Sequence, residues 1–492
     1  MFETVVKSIN DIVWSNALIF VALASGLFYS FKTRFVQIRM FKEMIKLLFG
    51  GKSSERGVSS FQAFAIAISG RVGTGNIAGV ATAIALGGPG AIFWMWVIAF
   101  LGSASAFIEA TLGQLYKENK GGEYRGGPAY YIEKGLGIKW FAVLFAIATI
   151  FSTAFFLPGV QANSIAAGIK SAFDIEAAYT GIAIIVFLAI IVFGGVKRIG
   201  KFSEIVVPFM AIAYILLAVV IIGLNFSEIP TVIKLIISSA FGANQAFGAI
   251  VGMAIMWGVK RGVYSNEAGQ GTAPHAAAAA EVSHPAKQGL VQAFSVYIDT
   301  LFICTATAFM ILFTFQYNVI DPSVDGGFII ENIPNVAYGP EYTQLAIESQ
   351  FPGFGKIFVA IALSFFAFTT IMAYYYIAET NVSYLDHQNK KKWLIWVLRI
   401  VILGATFYGA IKSAELAWTM GDIGVGIMAW LNFIAIFLLR KPALALLKDY
   451  ERQKKEGKDP VYSPKESHLD FKNVEIWNGI AQRYKEEQLK KY

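Results

Sequence analysis

The sequence ISGRVGTGNIAG, from residue 68 to residue 79, interrupts a long apolar segment with glycines and polar side chains. Gly70, Gly73 and Gly75 lie close together in it, and each glycine weakens a helix by roughly 1 kcal/mol relative to alanine. Glycine also adopts positive φ angles readily. An unwound turn within a membrane exposes peptide groups that only a cavity or a ligand can accommodate. The stretch therefore predicts a broken helix whose free N–H and C=O groups face a binding site.

A second stretch, WGVKRGVYSNEAG from residue 257 to residue 269, repeats the pattern at the same spacing. The shared residues are Arg71, Asn76, Ala78, Gly79, Thr82 and Ala83, which recur as Arg261, Asn266, Ala268, Gly269, Thr272 and Ala273. Chance recurrence in a chain rich in alanine and glycine is the alternative. Interrupted segments at corresponding points of two halves indicate the midplane site of a secondary transporter.

The composition is that of a membrane protein. Of 492 residues, 56% are hydrophobic and only 15% are charged, whereas soluble domains carry about a quarter charged residues. The single cysteine, Cys304, excludes a disulfide within the chain and a thiol cluster for zinc. The net charge of +8 lies largely in loops and the tail, so it indicates topology rather than nucleic-acid binding. The histidines are too scattered for a metal motif and are His275, His284, His387 and His468.

Eleven apolar segments are long enough to cross about 30 Å of hydrocarbon as helices. They lie near residues 12–31, 59–86, 89–116, 139–170, 178–195, 203–224, 246–272, 288–316, 354–380, 393–410 and 415–439. The first is predicted to be an uncleaved helix rather than a secretory signal, because its positive charges follow the apolar run instead of preceding it.

Lysine and arginine concentrate in alternate loops, which predicts the orientation of the chain. The rich loops contain residues 32–56, 117–134, 197–201, 287 and 390–392. The poor loops contain Lys7, Lys170, Lys234 and Lys412. Because cytoplasmic loops are the richer set, we predict a multi-pass protein of the cell membrane with its N-terminus outside and its C-terminus in the cytoplasm.

Removing the first span leaves ten, which divide into two groups of five. An odd number of helices in each group gives the two groups opposite orientations, as in transporters built from inverted repeats. The predicted units are residues 1–58 (extra helix and amphipathic cytoplasmic linker), 59–224 (first repeat), 225–439 (outer connection and second repeat) and 440–492 (cytoplasmic tail). Two long connections, 225–245 and 320–353, are expected to cover an outer vestibule.

The first break offers groups that suit an amino acid and a cation. The half-helix after it presents N–H groups and the positive end of a dipole to a carboxylate. Its freed carbonyls can coordinate a small hard cation such as Na+. Small residues also allow close helix packing, but packing alone does not require threonine or asparagine. We therefore predict that Gly73, Thr74, Gly75 and Asn76 bind substrate.

The second break carries charges that are costly in a membrane unless they are paired or hydrated. Lys260, Arg261 and Glu267 form either a cytoplasmic gate or a structural ion-pair cluster. Asn266 can accept hydrogens from an ammonium group, and Tyr264 can form a wall of the pocket.

Single polar residues in other spans are further candidates. Gln161 follows Pro158, which disturbs regular helical hydrogen bonding, and its amide either binds substrate or bridges helices. Thr369 and Thr370 lie within a span and suit a sodium site, although threonine often bonds carbonyls of its own helix. Tyr374 lies one turn beyond Thr370 on the same face.

Charged residues within spans have alternative interpretations. Asp299 is an intramembrane acid and hence a functional candidate, or it is a partner for Arg71 or Arg261. A cation at Arg71 would repel Na+, so we expect its side chain to point away from the break and to pair with an acid. Glu109 and Glu379 lie nearer the cytoplasmic ends of their spans and are predicted to be structural.

Longer motifs give a specific resemblance to a known family. Residues 69–80 with 87–96 (GGPGAIFWMW), and residues 260–269 (KRGVYSNEAG), are similar to the signatures of the alanine or glycine:cation symporter family, the sodium:alanine symporters. The likeness covers about residues 10–440. It implies the amino acid–polyamine–cation superfamily and the LeuT fold, with two discontinuous helices and one extra helix in front. It also implies Na+- or H+-coupled uptake of small neutral amino acids.

The resemblance also implies roles for particular residues. Residues 73–76 correspond to the family's first unwound segment, and Thr369 and Thr370 match the hydroxyl-bearing helix of its sodium site. The expected sodium ligands are Ser69, Val72, Thr369 and Thr370. The expected substrate-binding residues are Gly73, Thr74, Gly75, Asn76, Gln161, Tyr264, Asn266, Thr370 and Tyr374. One departure is Tyr374, where the family is expected to have tryptophan, so the size of the substrate stays open.

We therefore expect an all-α secondary-active symporter that couples Na+ entry to the uptake of alanine or glycine across the lipid bilayer, without a nucleic-acid partner. H+ coupling and a larger substrate such as glutamine stay open. An ion channel would need a pore ringed by polar groups, and the sequence has no four-fold or five-fold repeat. A membrane enzyme would need a nucleophile and base, a metal cluster or a phosphate loop, and the sequence shows none. Transport into sealed vesicles would distinguish a symporter from a nutrient receptor.

Overall fold

α-Helices form most of the described chain, because peptide groups in a bilayer must be satisfied within their own segment. The computed structural model describes residues 2–51, 53–193, 195–244, 247–324, 326–386 and 392–489. The helices are α1 (Phe2–Val13), α2 (Asn16–Lys32), α3 (Val36–Arg39), α4 (Phe41–Leu48), α5 (Ser60–Arg71), α6 (Val80–Gly87), α7 (Gly90–Leu115), α8 (Pro128–Tyr131), α9 (Lys139–Phe151), α10 (Leu157–Phe173), α11 (Ala177–Val192), α12 (Gly195–Leu224), α13 (Ile229–Ala240), α14 (Val251–Asn266), α15 (Ala273–Ala279), α16 (Pro285–Val296), α17 (Thr305–Phe313), α18 (Pro340–Gln350), α19 (Gly355–Leu385), α20 (Lys392–Ile411), α21 (Ala414–Leu438), α22 (Arg440–Lys455) and α23 (Ile476–Leu489).

Shorter elements join or extend these helices. π-Helical turns lie at Gly75–Gly79, Ile132–Leu136, Ser152–Phe156 and Tyr297–Cys304, and 3-10 turns lie at Phe226–Glu228 and Gly248–Ile250. Two antiparallel hairpins lie in connections and pair β1 (Glu118–Lys120) with β2 (Glu123–Arg125) and β3 (Asn318–Ile320) with β4 (Phe328–Glu331). π turns are frequent at functional positions.

Eight helical stretches of the described chain are long and apolar enough to cross a membrane. They are Glu3–Lys32, Gly90–Leu115, Lys139–Phe173, Arg198–Leu224, Pro285–Phe313, Gly355–Leu385, Trp393–Ile411 and Ala414–Leu438. The three other predicted spans are shorter as continuous helices. Two of them, 59–86 and 246–272, contain the breaks, and the third is Ala177–Val192 with 16 residues. Helix length alone therefore gives eight spans, and the count of eleven crossings remains a prediction.

The first break follows α5. This helix begins with a capping box, in which the side chains of Ser59 and Gln62 accept each other's backbone N–H groups. It ends at Arg71, and Val72 is extended, with φ −76° and ψ 91°. Helical structure resumes at Gly75 as a π turn and continues as α6. The interruption predicted from the glycines is present.

The second break follows α14, whose last residue is Asn266. Glu267, Gly269 and Gly271 have φ angles of 55°, 81° and 87°, in the left-handed region that favours glycine. Helical structure resumes at Ala273 in α15. The second predicted interruption is therefore also present, and it lies at the end of the repeated stretch because the residues up to Asn266 remain helical.

The C-terminal tail packs against one end of the helical bundle. Trp477 of α23 is fully buried, and its indole N–H donates to the carbonyl of Leu115, the last residue of α7, at 3.0 Å. Arg483 lies 3.3 Å from Glu281, just after α15. The described tail is therefore mostly helical and docked. His387, the lysines at 390 and 391, and residues 490–492 lie outside the described residues.

Candidate functional site

The two breaks face each other in the interior of the molecule. A methyl group on Gly75 would lie 3.2 Å from the Cα atom of Ser265, so the first break packs directly on the last turn of α14. A methyl group on Gly70 would lie 3.3 Å from the carboxylate of Glu267. We call the space bounded by residues 72–76 and 264–267 the cradle.

Two side-chain amides satisfy peptide donors of the first break. The N–H of Thr74 donates to Gln161 Oε1 at 3.0 Å, and the N–H of Gly73 donates to Asn76 Oδ1 at 2.9 Å. A methyl group on Gly73 would overlap the hydroxyl of Thr370 and lie 2.9 Å from Gln161 Oε1. Close approach therefore requires glycine at this position. Gln161 bridges α10 to the break, which was one of its two expected roles.

Three of the four expected sodium ligands lie together. Thr370 Oγ1 is 2.8 Å from the carbonyl oxygen of Ser69 and 3.4 Å from that of Val72. A hydroxyl has a single hydrogen to donate, so these oxygens retain lone pairs that suit a cation. Both hydroxyls also lie 2.9 Å from the carbonyl oxygen of Phe366 in their own helix, and for Thr369 this is the bond that its hydroxyl makes. The two threonines differ because successive helical residues point about 100° apart.

A buried carboxylate links the two breaks. Asp299 Oδ1 accepts hydrogen bonds from Asn76 Nδ2 at 2.7 Å and from Ser265 Oγ at 3.1 Å. The hydroxyl of Thr300 donates to its other oxygen at 2.7 Å. These hydrogen-bond partners are neutral, and Asp299 interacts with Arg71 electrostatically without a direct ion pair among the described residues. Asp299 fixes the first break relative to the second.

Arg71 points away from the cradle, toward α16. Its guanidinium donates to the hydroxyl of Ser295 and, at 3.3 Å, to the carbonyl of Gln292. The direction agrees with the prediction. The predicted acidic partners interact with Arg71 electrostatically and are Glu267, Glu109 and Asp299, but the described chain shows no direct ion pair with them.

The peptide donors of the second break are held by a carboxylate. Glu109 of α7 accepts hydrogen bonds from the N–H groups of Gly269 and Gly271 at 3.2 Å and 3.1 Å, and from Asn432 Nδ2 at 2.7 Å. Glu109 was predicted to be structural, and these hydrogen bonds show that it supports the backbone of the second break. Asn432 was absent from the predicted site. Glu379, the other glutamate predicted to be structural, lies 3.1 Å from Arg125 and is not part of the cradle.

Lys260 and Arg261 pair with an acid that was absent from the predicted site. Lys260 Nζ and Arg261 Nη2 lie 2.8 Å and 2.5 Å from Asp422 Oδ2 on α21. Glu267 is not in this cluster and accepts a hydrogen bond from Thr272 at 2.8 Å. The cluster lines a cavity shared with α1, which is predicted to lie outside, so a cytoplasmic gate is inconsistent with that topology. Asp422 is an acid within an apolar span, a signal that could have identified it.

Three expected substrate-binding side chains carry buried polar atoms without a hydrogen-bond partner. They are Thr74 Oγ1, Asn266 Nδ2 and Tyr264 Oη, and the last of these interacts with the Gln161 side chain without a well-formed hydrogen bond. Asn266 Oδ1 accepts the N–H of Ala268 at 3.0 Å, so the free atom of Asn266 is a donor. The amide oxygen keeps a second lone pair, so the prediction that Asn266 accepts hydrogens from an ammonium group stays a prediction. Tyr374 is also buried, and it interacts with Gln161 and Tyr264.

The fold is similar to that of a solved transporter structure. A crystal structure of the Eremococcus coleocola manganese transporter, in complex with an aromatic bis-isothiourea compound, matches with a TM-score of 0.54 and 14% identity. The match covers 91% of this chain and 94% of that chain. At this identity the likeness concerns the fold alone.

Sequence relatives are much closer. YrbD of Bacillus subtilis (strain 168) is 64% identical over 472 residues, which cover 96% of this chain and 97% of YrbD. The sodium/proton-dependent alanine carrier protein of Bacillus sp. (strain PS3) is 54% identical and matches over 90% of this chain and 99% of its own length. The profile of the Sodium:alanine symporter family matches residues 1–464. The chain therefore belongs to the sodium:alanine symporter family, whose members are membrane transporters and not enzymes.

Proposed function

We propose that the chain is a Na+-coupled symporter that carries alanine or glycine by alternating access. One observation carries this proposal, namely the three buried, unpartnered polar atoms of Thr74, Tyr264 and Asn266 where the breaks meet. A buried polar group without a hydrogen bond costs about 1–3 kcal/mol. An amino acid head group in the cradle would supply the missing partners. The name of the relative from strain PS3 supports alanine and a cation.

The carboxylate of the substrate is proposed to bind donors from both breaks. Asn266 Nδ2 offers one donor, and the N–H groups of Gly73 and Thr74 offer two more at the positive end of the half-helix. The amide oxygens of Asn76 and Gln161 hold those N–H groups, so a carboxylate exchanges with neutral acceptors. The ammonium group is then directed to the hydroxyl oxygens of Thr74 and Tyr264 and to freed carbonyls.

The Na+ ion is proposed to bind beside the substrate. The carbonyl oxygens of Ser69 and Val72 and the hydroxyl of Thr370 form a group of hard oxygen ligands. Thr370 also lies against Gly73, so the ion ligands and the substrate donors share one stretch of backbone. Each bound species therefore favours the backbone arrangement that the other requires, and such mutual stabilisation is the basis of coupling. Thr369 points in another direction on α19, so it would join the ion only if that helix turned.

The Na+ gradient is sufficient for concentrative uptake. One charge moving through roughly 100 mV releases about 2.3 kcal/mol, and a tenfold gradient adds about 1.4 kcal/mol. Together these values allow an accumulation of several hundred-fold for one Na+ per zwitterion. Proton coupling is the second candidate, because the relative from strain PS3 is named sodium/proton-dependent.

The walls of the cradle favour a small substrate. Tyr264 and Tyr374 are buried at 4% and 2% exposure, and Gln161 fills the space beside Gly73. Large aromatic rings leave room for a methyl group more readily than for a long polar chain. Glutamine remains the alternative substrate, because tyrosine at position 374 is smaller than the expected tryptophan.

The proposed architecture is the predicted one. It has eleven crossings, a LeuT-like 5+5 inverted repeat after one extra helix, an outer N-terminus and a cytoplasmic C-terminus. The units are those of the sequence, with boundaries near residues 58, 224 and 439. The two mutually packed breaks support this arrangement, since inverted-repeat transporters bind at such a junction.

Uptake into proteoliposomes tests the proposal. Labelled alanine should accumulate above its outside concentration with an inward Na+ gradient, saturate with substrate, and fail when K+ replaces Na+. Competition by glycine, serine and glutamine ranks the substrates. Uptake that does not saturate, or that only equilibrates, would indicate a channel. Uptake driven by a proton gradient with no Na+ present would show that the coupling ion is H+ rather than Na+.

The variant Asn76→Leu tests the cradle itself. It removes the acceptor of the Gly73 N–H and the donor to Asp299, so we expect folded protein without concentrative uptake. The control is Asn225→Leu, because Asn225 is a partly buried asparagine whose amide donates to the carbonyl of Ile221 at 2.8 Å and to Gln350 at 3.3 Å, and neither partner belongs to the breaks. Equal uptake by both variants would exclude the cradle as the site.

A further inference from the structure

A second group of polar atoms without partners lies outside the cradle. Lys260, Arg261 and Asp422, which we call the outer cluster, line a cavity of about 830 Å³. The cavity is also bounded by α1 and by residues 337–341. Both cations contact the same carboxylate oxygen, Asp422 Oδ2. The outer cluster therefore carries two positive charges and one negative charge, and its side chains are at most 6% exposed.

The hydrogen bonding of the outer cluster is incomplete on both sides. Arg261 Nε and Nη1 and Asp422 Oδ1 are buried without a hydrogen-bond partner. The unused groups are two donors on a cation and one acceptor on an anion. An inorganic anion would satisfy the donors and leave the acceptor unpaired. A head group with a carboxylate and an ammonium would satisfy both.

Aromatic rings surround the two cations. Lys260 Nζ lies 5.3 Å from the ring centre of Trp14 and 5.0 Å from that of Trp257. The Arg261 guanidinium lies 5.2 Å from Trp257, 5.4 Å from Tyr264 and 4.7 Å from Trp418. These rings fix the cations by cation–π attraction. The side chains of both cations are also buried, so a charged hydrogen bond made there is strong.

One residue joins the outer cluster to the cradle. Tyr264 lies one turn after Arg261 on the same face of α14, and its ring is 5.1 Å from that of Trp418. The same tyrosine carries one of the unpartnered hydroxyls of the cradle. The Tyr264–Trp418 pair therefore contacts Arg261 of the outer cluster while Tyr264 also belongs to the cradle.

We propose that the outer cluster is a second binding site for the head group of a zwitterionic α-amino acid. Arg261 and Lys260 take the carboxylate, and Asp422 takes the ammonium. The amino acid docks there from the cavity before it passes Tyr264 into the cradle. This inference rests on the proposed function for the identity of the solute, but it concerns a different set of residues.

Equilibrium binding of labelled alanine to the purified protein in Na+ tests the inference. The wild-type protein should bind two molecules of alanine per chain at saturation. Arg261→Lys keeps a cation beside Asp422 but removes the unused donors, so it should retain one site and weaken the other at least about tenfold. Asn76→Leu should retain only the outer site. Lys7→Gln removes a charge from the same cavity without touching the outer cluster and should bind two.

The outcomes separate this inference from the proposed function. If the wild-type protein binds one alanine per chain at saturation, and Asn76→Leu binds none, the outer site is overturned. The proposed symporter function is then unaffected. If Asn76→Leu binds two alanine molecules per chain, the cradle is instead excluded as a binding site. If Arg261→Lys does not fold, Lys260→Gln replaces it, with the same expected loss of outer binding. Propionate has no ammonium group, so displacement of outer alanine by propionate or chloride as effectively as by glycine would overturn recognition of the zwitterion.

Discussion

The two helix breaks are held in different ways. The first exposes Gly73 and Thr74, whose N–H groups are accepted by neutral amides of Asn76 and Gln161. The second exposes glycine N–H groups that are accepted by the carboxylate of Glu109. Glu109 accepts three hydrogen bonds, two from the second break and one from Asn432, so several contacts hold this carboxyl group and the break together. The first break can therefore exchange partners for a ligand at small cost, whereas the second is fixed in place.

The backbone of the breaks shows the same contrast. The first has an extended residue, Val72, before helical structure resumes at Gly75. The second has positive φ at Glu267, Gly269 and Gly271. A short break among small neutral groups suits binding and release. A longer break in a left-handed conformation needs firm support from its neighbours.

Loss of the carboxylate that supports the second break should have the largest effect. Glu109→Ala leaves the N–H groups of Gly269 and Gly271 without an acceptor and removes one of the two acceptors of the Asn432 amide, so we expect about 3–5 kcal/mol of lost stability. Thermal unfolding of the purified variant measures this change. Glu109→Gln keeps one acceptor oxygen and should be intermediate. If the free energy of unfolding of Glu109→Ala stays within about 0.5 kcal/mol of the wild-type value, the second break is not held more firmly than the first.

Filling the first break should abolish uptake with less effect on stability. Gly73→Ala places a methyl group against the Thr370 hydroxyl, and overpacking of this kind costs about 1–3 kcal/mol. We expect the initial rate of alanine uptake to fall at least about tenfold. The matched control is Gly79→Ala, whose methyl group would have its nearest neighbour at 3.7 Å. Normal uptake by Gly73→Ala would show that this contact is dispensable.

Adjacent threonines should separate ion binding from helix packing. Thr370→Val removes the hydroxyl beside Ser69 and Val72, so the Na+ concentration for half-maximal uptake should rise about tenfold. Thr369→Val removes a hydroxyl that bonds only within α19 and should change that concentration less than about twofold. Uptake measured over a range of Na+ concentrations gives both values. Equal shifts in the two variants would contradict the assigned ligands.

The smallest effect is expected at an unpartnered hydroxyl. Thr74→Val breaks no hydrogen bond, since Thr74 Oγ1 has none, so stability should stay within about 0.5 kcal/mol of wild type. The alanine concentration for half-maximal uptake should rise about fivefold, because one ligand contact is lost. Thr149→Val is the matched control, with a buried hydroxyl that is also unpartnered. A change in both variants would mean that the cradle plays no special part.

Features coded by local sequence were predictable. Both interruptions follow from glycines and polar residues within apolar runs, and both are present. The family followed from the same stretches. Gln161 and Thr370, chosen as polar residues in other spans, both reach the first break.

Features that depend on packing between distant helices were not predictable. The pairing of Arg261 with Asp422 joins residues 161 positions apart, and several intramembrane acids were equally suitable partners in the sequence. Thr369 and Thr370 are chemically identical, and only the rotation of α19 decides which one faces the break. The free atom of Asn266 depends on the bond that its oxygen makes to Ala268. These details follow from the assembled bundle rather than from a local pattern.

The docked tail constrains how the protein can move. Trp477 holds the end of α7 through the Leu115 carbonyl, while Arg483 holds Glu281 just beyond α15. Any motion that pulls α7 and residue 281 apart must break one of these two attachments or carry α23 with it. A chain shortened before α23 would lose both attachments. The transport rate of such a truncated protein should therefore be measured as well as its yield.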